Sequence, residues 1–452
     1  MIDVLIIGGG SAGLFLANTL WKSGISFLVI EKRIHPSTKT KAIGIHPPAL
    51  TLLNQLGLMD EFLSHGVKII EGMVFIEKKY YGKMALGSDQ FADHVLSIPQ
   101  FKTEQILEAA LPSNYILRGH QFRSFQNIGD AVRVETTRDD GKKVEFKARF
   151  VIGADGMNSV VRTAAGIGWN GHTYPYSYTM GDFPDTTNYG NRAVIHLSND
   201  GLTESFPLPD TTRRWVINHN RHPLSVDQLC DAVNQRTGYQ LNPAENRMLS
   251  NFEIHRYLAE SIYKDRVILL GDAAHVMSPI GGQSMNVAWI HADKLGRLFA
   301  EYTLGGKVID HETHKLRTPI TEHKSGKIID DRNTTESFMR QKSGENSSTR
   351  KIKTRFKGSS GNSSKTKKIA KSAKDLSKFR FKELNSAKFD KHLQDYEKFV
   401  KHSATVFSSR AEFNTKMGLP GKNMFILKGI VKLLLSWPLS KVISKRFTMK
   451  SG

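Results

Sequence analysis

The sequence predicts an α/β protein with a parallel sheet, an inserted strand-rich domain and a helical C-terminal region. Three apolar runs, in Val4–Gly13, Phe150–Arg162 and Val267–Asn286, each lead straight into a glycine-bearing turn. Two other stretches, Gly72–Val95 and about Trp169–His255, lack such turns and carry short runs such as AVIHL, ESFPLP and RRWVINH, which read as strands. Beyond a basic stretch, the chain closes on apolar residues spaced by lysines.

The first run defines the nucleotide fold. Val4 to Ile7 are uninterruptedly apolar, as in a parallel strand covered on both faces. Gly8, Gly10 and Gly13 follow in G-x-G-x-x-G spacing, then Ala12, Leu16 and Leu20 at helical spacing, with Gly24 as a stop. Such glycines let the backbone turn sharply and approach a pyrophosphate, whose charge is stabilised by the free amides and dipole of the helix N-terminus. A second strand, Phe27 to Ile30, delivers Glu31 roughly 20 residues past the last glycine, where a carboxylate accepts hydrogen bonds from an adenosine ribose. This order of strand, turn, helix and acid predicts a Rossmann-like dinucleotide-binding domain.

That motif alone does not separate NAD from FAD. The second run, ARFVIGADGMNSVVR, places Asp155 and Gly156 directly after a strand, with Ser159 and Arg162 behind them. The third, DRVILLGDAAHVMSPIGGQSMNVAWIHADKLG, ends a strand at Gly271 and Asp272 and passes Pro279, Gly281 and Gly282 into a helix containing Asn286. With these segments in this order the chain resembles the FAD-dependent aromatic hydroxylases, the single-component flavoprotein monooxygenases related to para-hydroxybenzoate hydroxylase. The resemblance covers roughly residues 1–305 and resumes near Leu393.

The resemblance implies FAD as cofactor and NAD(P)H as co-substrate. It places Asp272 on the ribityl chain and Pro279, Gly281 and Gly282 beside the isoalloxazine ring, where a helix starting near Gly282 would face the negative charge of the reduced flavin. It implicates Asp155, with Gly156 and Arg162, in FAD and NAD(P)H binding; an acid at such a turn also serves as a helix cap. Lys41 stands where the family carries an arginine, which keeps the charge and loses the bidentate fork. Gln100 and Glu104 match a glutamine and an acid ahead of a helix, the glutamine being a flavin contact. Ser284 replaces a glycine and His291 an aspartate, and His275 reads as a packed histidine rather than a base.

Composition limits the alternatives. The chain has 452 residues, 39% of them hydrophobic, enough for more than one core. One cysteine, Cys230, excludes an intramolecular disulfide and suits a reducing compartment, so a cytoplasmic protein is expected. No apolar run reaches the roughly 20 residues of a bilayer span. The formal charge of +21 is concentrated: Lys342–Lys382 holds fourteen Lys or Arg against Glu345 and Asp375, a net of +12. So little apolar surface predicts disorder, and residues 307–387 read as an insertion. A solvated linker is the plain reading, since no nucleic-acid recognition module accompanies it; binding to RNA, DNA or anionic lipid is the other. Met424 to Trp437 reads as a helix packed on the flavin domain, or as an interfacial anchor giving peripheral membrane contact.

The expected layout is an FAD-binding domain in three parts (1–71, 96–168 and 256–306), a substrate domain from 72–95 and 169–255, the insertion, and a helical region over 388–452. Phe206, Pro207, Leu208 and Trp215 are candidate pocket walls. The implied reaction is hydroxylation of an aromatic, phenolic small molecule with O2 through a flavin C4a-hydroperoxide. The cofactor carries the bond chemistry while the protein positions the ring and excludes water. No metal-ligand cluster or Ser-His-Asp triad is evident. A reductase or halogenase on a related scaffold is the alternative, the latter weakened by the lack of a W-x-W-x-I-P segment; a third is a flavoprotein recruited to nucleic acid or membrane by its basic insertion. Substrate identity and oligomeric state are not legible.

Overall fold

The computed structural model describes residues 1–38, 42–88, 90–220, 223–304, 308–310, 315–317, 386–419, 424–436 and 439–450. Its first sheet has eight strands. Ile2–Ile7 lies in the middle, parallel to Phe27–Glu31 on one side and to Lys143–Gly153 on the other. Ile116–Arg118 extends the sheet beyond Phe27–Glu31, and Val267–Leu269 extends it beyond Lys143–Gly153, again in parallel. The register is the decisive feature. Ile7 pairs with Ile30 and Gly153, and Gly153 pairs with Leu269, so the three glycine-bearing turns and Glu31 leave the sheet at one edge, side by side. In parallel sheets the carboxyl ends of the strands are where ligands bind.

Two helices seal this sheet. Ser11–Lys22 and Ser284–Leu304 cross so closely that a Cβ on Gly296 would fall 2.4 Å from Thr19 Cγ2. Phe15 stacks on Trp289 with ring centroids 4.9 Å apart. The long helix Ser386–Met417 closes the core through Phe389, which meets Phe150 at 5.0 Å.

The second sheet also has eight strands, in the order His275–Val276, Met248–Ala259, Trp169–Pro184, Thr212–His219, Gly201–Leu208, Ala193–Ser198, Glu71–Ile76 and Lys79–Ala85. All its pairs are antiparallel except Ala193–Ser198 with Glu71–Ile76. One face packs Phe183, Trp215 and Ile217 under the helix Val226–Thr237 through Leu229 and Val233. The opposite face presents Tyr178, Met180, Val216 and Ile254 to Ile280, which belongs to the third glycine turn. Trp215 therefore lies on the far face, fully buried, and is not a pocket wall; Phe206 is on the near face. A small sheet of Gly44–Ile45, Val67–Ile69 and Val95–Ser97 closes one end.

The C-terminal helix corrects an expectation. Met424–Leu435, with Leu439–Phe447, packs on the edge strand Lys79–Ala85 of the second sheet rather than on the nucleotide-binding sheet. Leu435 Cδ1 lies 3.0 Å from where a Cβ on Gly82 would stand. No helix among the described residues is long and apolar enough to cross a membrane. Within 307–387, residues Val308–Asp310 and Lys315–Arg317 pair as an antiparallel ribbon, and Ser386 opens the long helix. The basic stretch Lys342–Lys382 lies outside the described residues.

Candidate functional site

The first turn is built by backbone approach. A Cβ on Gly8 would sit 2.2 Å from the Ala154 carbonyl oxygen, and one on Gly13 would sit 2.1 Å from the Gly8 carbonyl oxygen. Only glycine fits either place. Gly10 is the N-cap residue of Ser11–Lys22, and the helix's own first turn offers neither a capping side chain nor an acid. The Glu104 carboxyl of a neighbouring helix accepts from the Ser11 amide, and the remaining amides of this helix end fit the pyrophosphate of a dinucleotide.

Acidic side chains organise the flank. Glu31 Oε2 accepts from the Gly9 amide at 2.8 Å, and Glu31 Oε1 accepts from the Arg33 amide at 2.8 Å. The Arg33 guanidinium adds two bonds of 3.1 Å to the same carboxylate. Burial pushes the Glu31 carboxyl up, but the Arg33 and Gly9 bonds outweigh it and the net shift is downward. The four lone-pair positions are filled, so a ribose hydroxyl reaches Glu31 only where the Arg33 side chain yields one. Gln100 accepts from the Ala42 amide at 3.2 Å and donates to Glu104 Oε1 at 3.0 Å, which sets both residues beside the turn. Burial raises the Glu104 carboxyl. Lys41 lies outside the described residues.

The second turn is different in kind. Asp155 accepts from Ser159 Oγ at 2.5 Å and from the Val160 and Val161 amides at 2.8 and 3.1 Å, so its carboxylate caps the helix Val160–Ala164. Arg162 donates to the carbonyls of Ala273 and Met157 at 3.1 and 3.0 Å and lies 3.8 Å over the Trp169 ring. Asp155 thus shapes the second turn from within, and Arg162 ties that turn to the third. Gly156, at φ 86° with nothing within 4 Å of its would-be Cβ, is the open position of this turn.

The third turn carries Gly271 and Asp272 on a short 3₁₀ segment. Asp272 is exposed, and Ser284 Oγ donates to its Oδ1 at 3.4 Å, which gives the serine that departs from the family pattern a role. Pro279 is exposed; Gly281 and Gly282, at φ 93° and 65°, adopt left-handed backbone that L side chains resist. Asn286 is fully buried: its Oδ1 accepts from the His46 amide at 2.8 Å, and its Nδ2 donates to the carbonyls of Gly44 and Gly282 at 2.9 and 2.8 Å. It therefore clamps the glycine turn to the small sheet, and its side chain is not free for a ligand.

His46 escaped the sequence reading. Its Nε2 donates to the Gly281 carbonyl at 3.1 Å, its Nδ1 has no partner among the described residues, and burial pushes its pKa down to about 4. The only local signal was its place ahead of Pro47 and Pro48, which marks a helix start and nothing more. His275 is packed: its Nε2 shares a hydrogen bond of 2.9 Å with His291 Nδ1, and His291 Nε2 shares one of 2.7 Å with Ser403 Oγ, which also bonds the Phe399 carbonyl.

A parallel sheet with a helix starting behind a G-x-G-x-x-G turn, joined at one edge by two more glycine turns, defines a dinucleotide-binding protein. The chain belongs to the FAD-dependent aromatic hydroxylase family, the FAD binding domain of which matches residues 1–310. It is 30% identical over 314 residues to a rifampicin monooxygenase of Streptomyces venezuelae, covering 67% of this chain and 64% of that protein. It is 30% identical over 303 residues to the uncharacterized aromatic compound monooxygenase YhjG of Bacillus subtilis, covering 65% and 60%. The chain thus spans less than two thirds of the length of these relatives. In fold it is similar to the anhydrotetracycline hydroxylase OxyS of Streptomyces rimosus, at 20% identity and a TM-score of 0.68 over 99% of this chain and 75% of that one.

Proposed function

We propose that the chain is an FAD-dependent monooxygenase that uses NAD(P)H and O2 to hydroxylate an aromatic, phenolic small molecule. The observation that carries this is the shared edge: Gly8–Gly13, Gly156 and Asp272–Gly282 stand together at the ends of three paired strands. The family relation supplies the cofactor. When bound, FAD takes a hydride and activates dioxygen, chemistry that no side chain provides.

The residues of the chain have the remaining tasks. The turn at Gly8–Gly13 holds the pyrophosphate on open helix amides. Asp272 holds the ribityl chain, and Gly281 and Gly282 let backbone lie flat against the ring system. Asn286 and His46 keep that backbone in place from the other side. The near face of the second sheet excludes water over the ring, which protects an activated oxygen and holds the substrate in reach.

The test is to load the protein with FAD and follow NADH and NADPH oxidation with and without a panel of phenols. The reading expects substrate-dependent stimulation, with slow hydrogen peroxide release when no phenol is present. An NAD(P)H oxidation rate indifferent to every aromatic added would contradict it.

A further inference from the structure

The near face of the second sheet holds one charge that the fold does not explain. Glu204 sits at the centre of the strand Gly201–Leu208, between Leu202 and Phe206 on the same face, and pairs with Ile195 and Val216 on the two neighbouring strands. All four neighbours are apolar residues of the cluster that contains Ile280. Glu204 is 5% exposed, yet no described residue donates a hydrogen bond to its carboxyl, and burial alone raises it to about 7. Across the same face Tyr178, which feels the charge of Glu204, buries a hydroxyl that also has no partner among the described residues.

The strand is fixed over the third glycine turn from both ends. At one end Leu202 packs on Gly418, where a Cβ would fall 2.8 Å from Leu202 Cβ; three residues earlier Thr415 shares a hydrogen bond of 3.0 Å with Ser278. At the other end the Pro207 carbonyl accepts from Ser97 Oγ at 2.6 Å, tying the strand to the small sheet that Asn286 clamps to Gly282. Arg214 and Asp182 share the face further along, but they neutralise each other through bonds of 2.7 and 2.8 Å. A buried polar group without a partner costs stability, and two on one apolar face are explained when a ligand completes them.

We propose that Glu204 is the substrate anchor: its carboxylate accepts the hydroxyl hydrogen of an uncharged hydroxyaromatic ligand, and its charge turns aromatic carboxylates away. Tyr178 is the second polar contact on that wall. The assignment rests on the hydroxylase reading above and adds what that reading lacks, a residue that selects among aromatic compounds.

The test measures binding rather than turnover, in the FAD-loaded full chain at about pH 8, where a carboxyl at about 7 is ionised. The probes are 2-naphthol, 2-methoxynaphthalene, which lacks the donor, and 6-hydroxy-2-naphthoate, which adds a carboxylate, each titrated through its perturbation of the flavin spectrum. The wild type is expected to favour 2-naphthol over either analogue by about ten- to a hundredfold, the range of a hydrogen bond to a charged group. Glu204→Leu is expected to keep its FAD and lose the hydroxyl preference. Glu204→Gln is expected to keep its FAD and bind the naphthoate more tightly than the wild type does; it carries the test alone if the leucine variant fails to fold. Both preferences persisting within twofold in the variants, or no saturable naphthol binding by the flavin-loaded wild type, would overturn the proposal. A wild type that takes up no FAD would overturn the hydroxylase reading, and this one with it.

Discussion

The turn at Gly8–Gly13 and the strand Gly201–Leu208, the two proposed recognition elements, are built from opposite materials. The turn uses backbone: amides at a helix start, and two positions where a carbonyl oxygen lies within 2.2 Å of any Cβ that replaced a hydrogen. Its geometry is set by neighbours in sequence and by the three-strand register. The strand uses side chains, and what Glu204 faces is set by residues from Tyr178 to Val431. A backbone site tolerates changes in most side chains but no added Cβ at its contact glycines. A side-chain wall should behave the other way round, losing selectivity while keeping its fold.

The sharpest way to break that contrast is Gly13→Val. A branched side chain 2.1 Å from the Gly8 carbonyl cannot be accommodated without moving the turn, so FAD content measured after denaturation should fall to background. Retention of stoichiometric FAD would show that the turn is not the phosphate site. Next in size is Asn286→Ala, which strands the His46 amide and the carbonyls of Gly44 and Gly282. We expect a loss of about 2–4 kcal/mol in denaturant unfolding, the sum of a few buried bonds left unmade. Asp272→Ala should weaken FAD by about ten- to a hundredfold with little change in stability, because the residue is exposed and is proposed to hold the ribityl chain. Equal flavin affinity in that variant would remove Asp272 from the site.

A separate effect is a pH dependence. His46 and His275 are held neutral by burial, each with its pKa lowered from 6.5 to about 4, and burial also holds His291 well below 6.5. The unfolded chain binds protons at these groups before the folded chain does. The stabilisation is therefore full above about 6.5 and is lost as pH falls towards 4, at about 1.4 kcal/mol per histidine for each pH unit. Thermal unfolding followed between these limits should show a falling Tm, and His46→Gln should flatten the slope. An unchanged slope would mean that His46 is not buried as a neutral ring.

The same contrast governs what the sequence could reveal. The spacing of Gly8, Gly10 and Gly13, and the placing of Glu31 at a strand end, depend on contacts within about one βαβ unit, and such local rules are readable. Asn286 and Arg162 were visible as residues, but not as clamps: the Asn286 partner His46 is 240 residues away. Trp215 failed for a simpler reason. Thr212–His219 is buried at every position, so no alternation marks which residues face the ring, and a one-residue change of parity moves all of them to the other side. Glu204 is hidden in the same way, in a strand buried everywhere but at Phe206. The helix Met424–Leu435 showed that it needed an apolar partner, but an amphipathic pattern does not name one.

The origin of the product oxygen tests the account most directly. The FAD-loaded chain would be given NAD(P)H and an accepted phenol under oxygen-18-labelled dioxygen, and the product analysed by mass spectrometry. If the third turn and the second sheet enclose an oxygen-activating flavin, one labelled atom appears in each product molecule. Product oxygen drawn from water, or product formed under strict anaerobiosis, would contradict the monooxygenase reading and leave a reductase on the same scaffold.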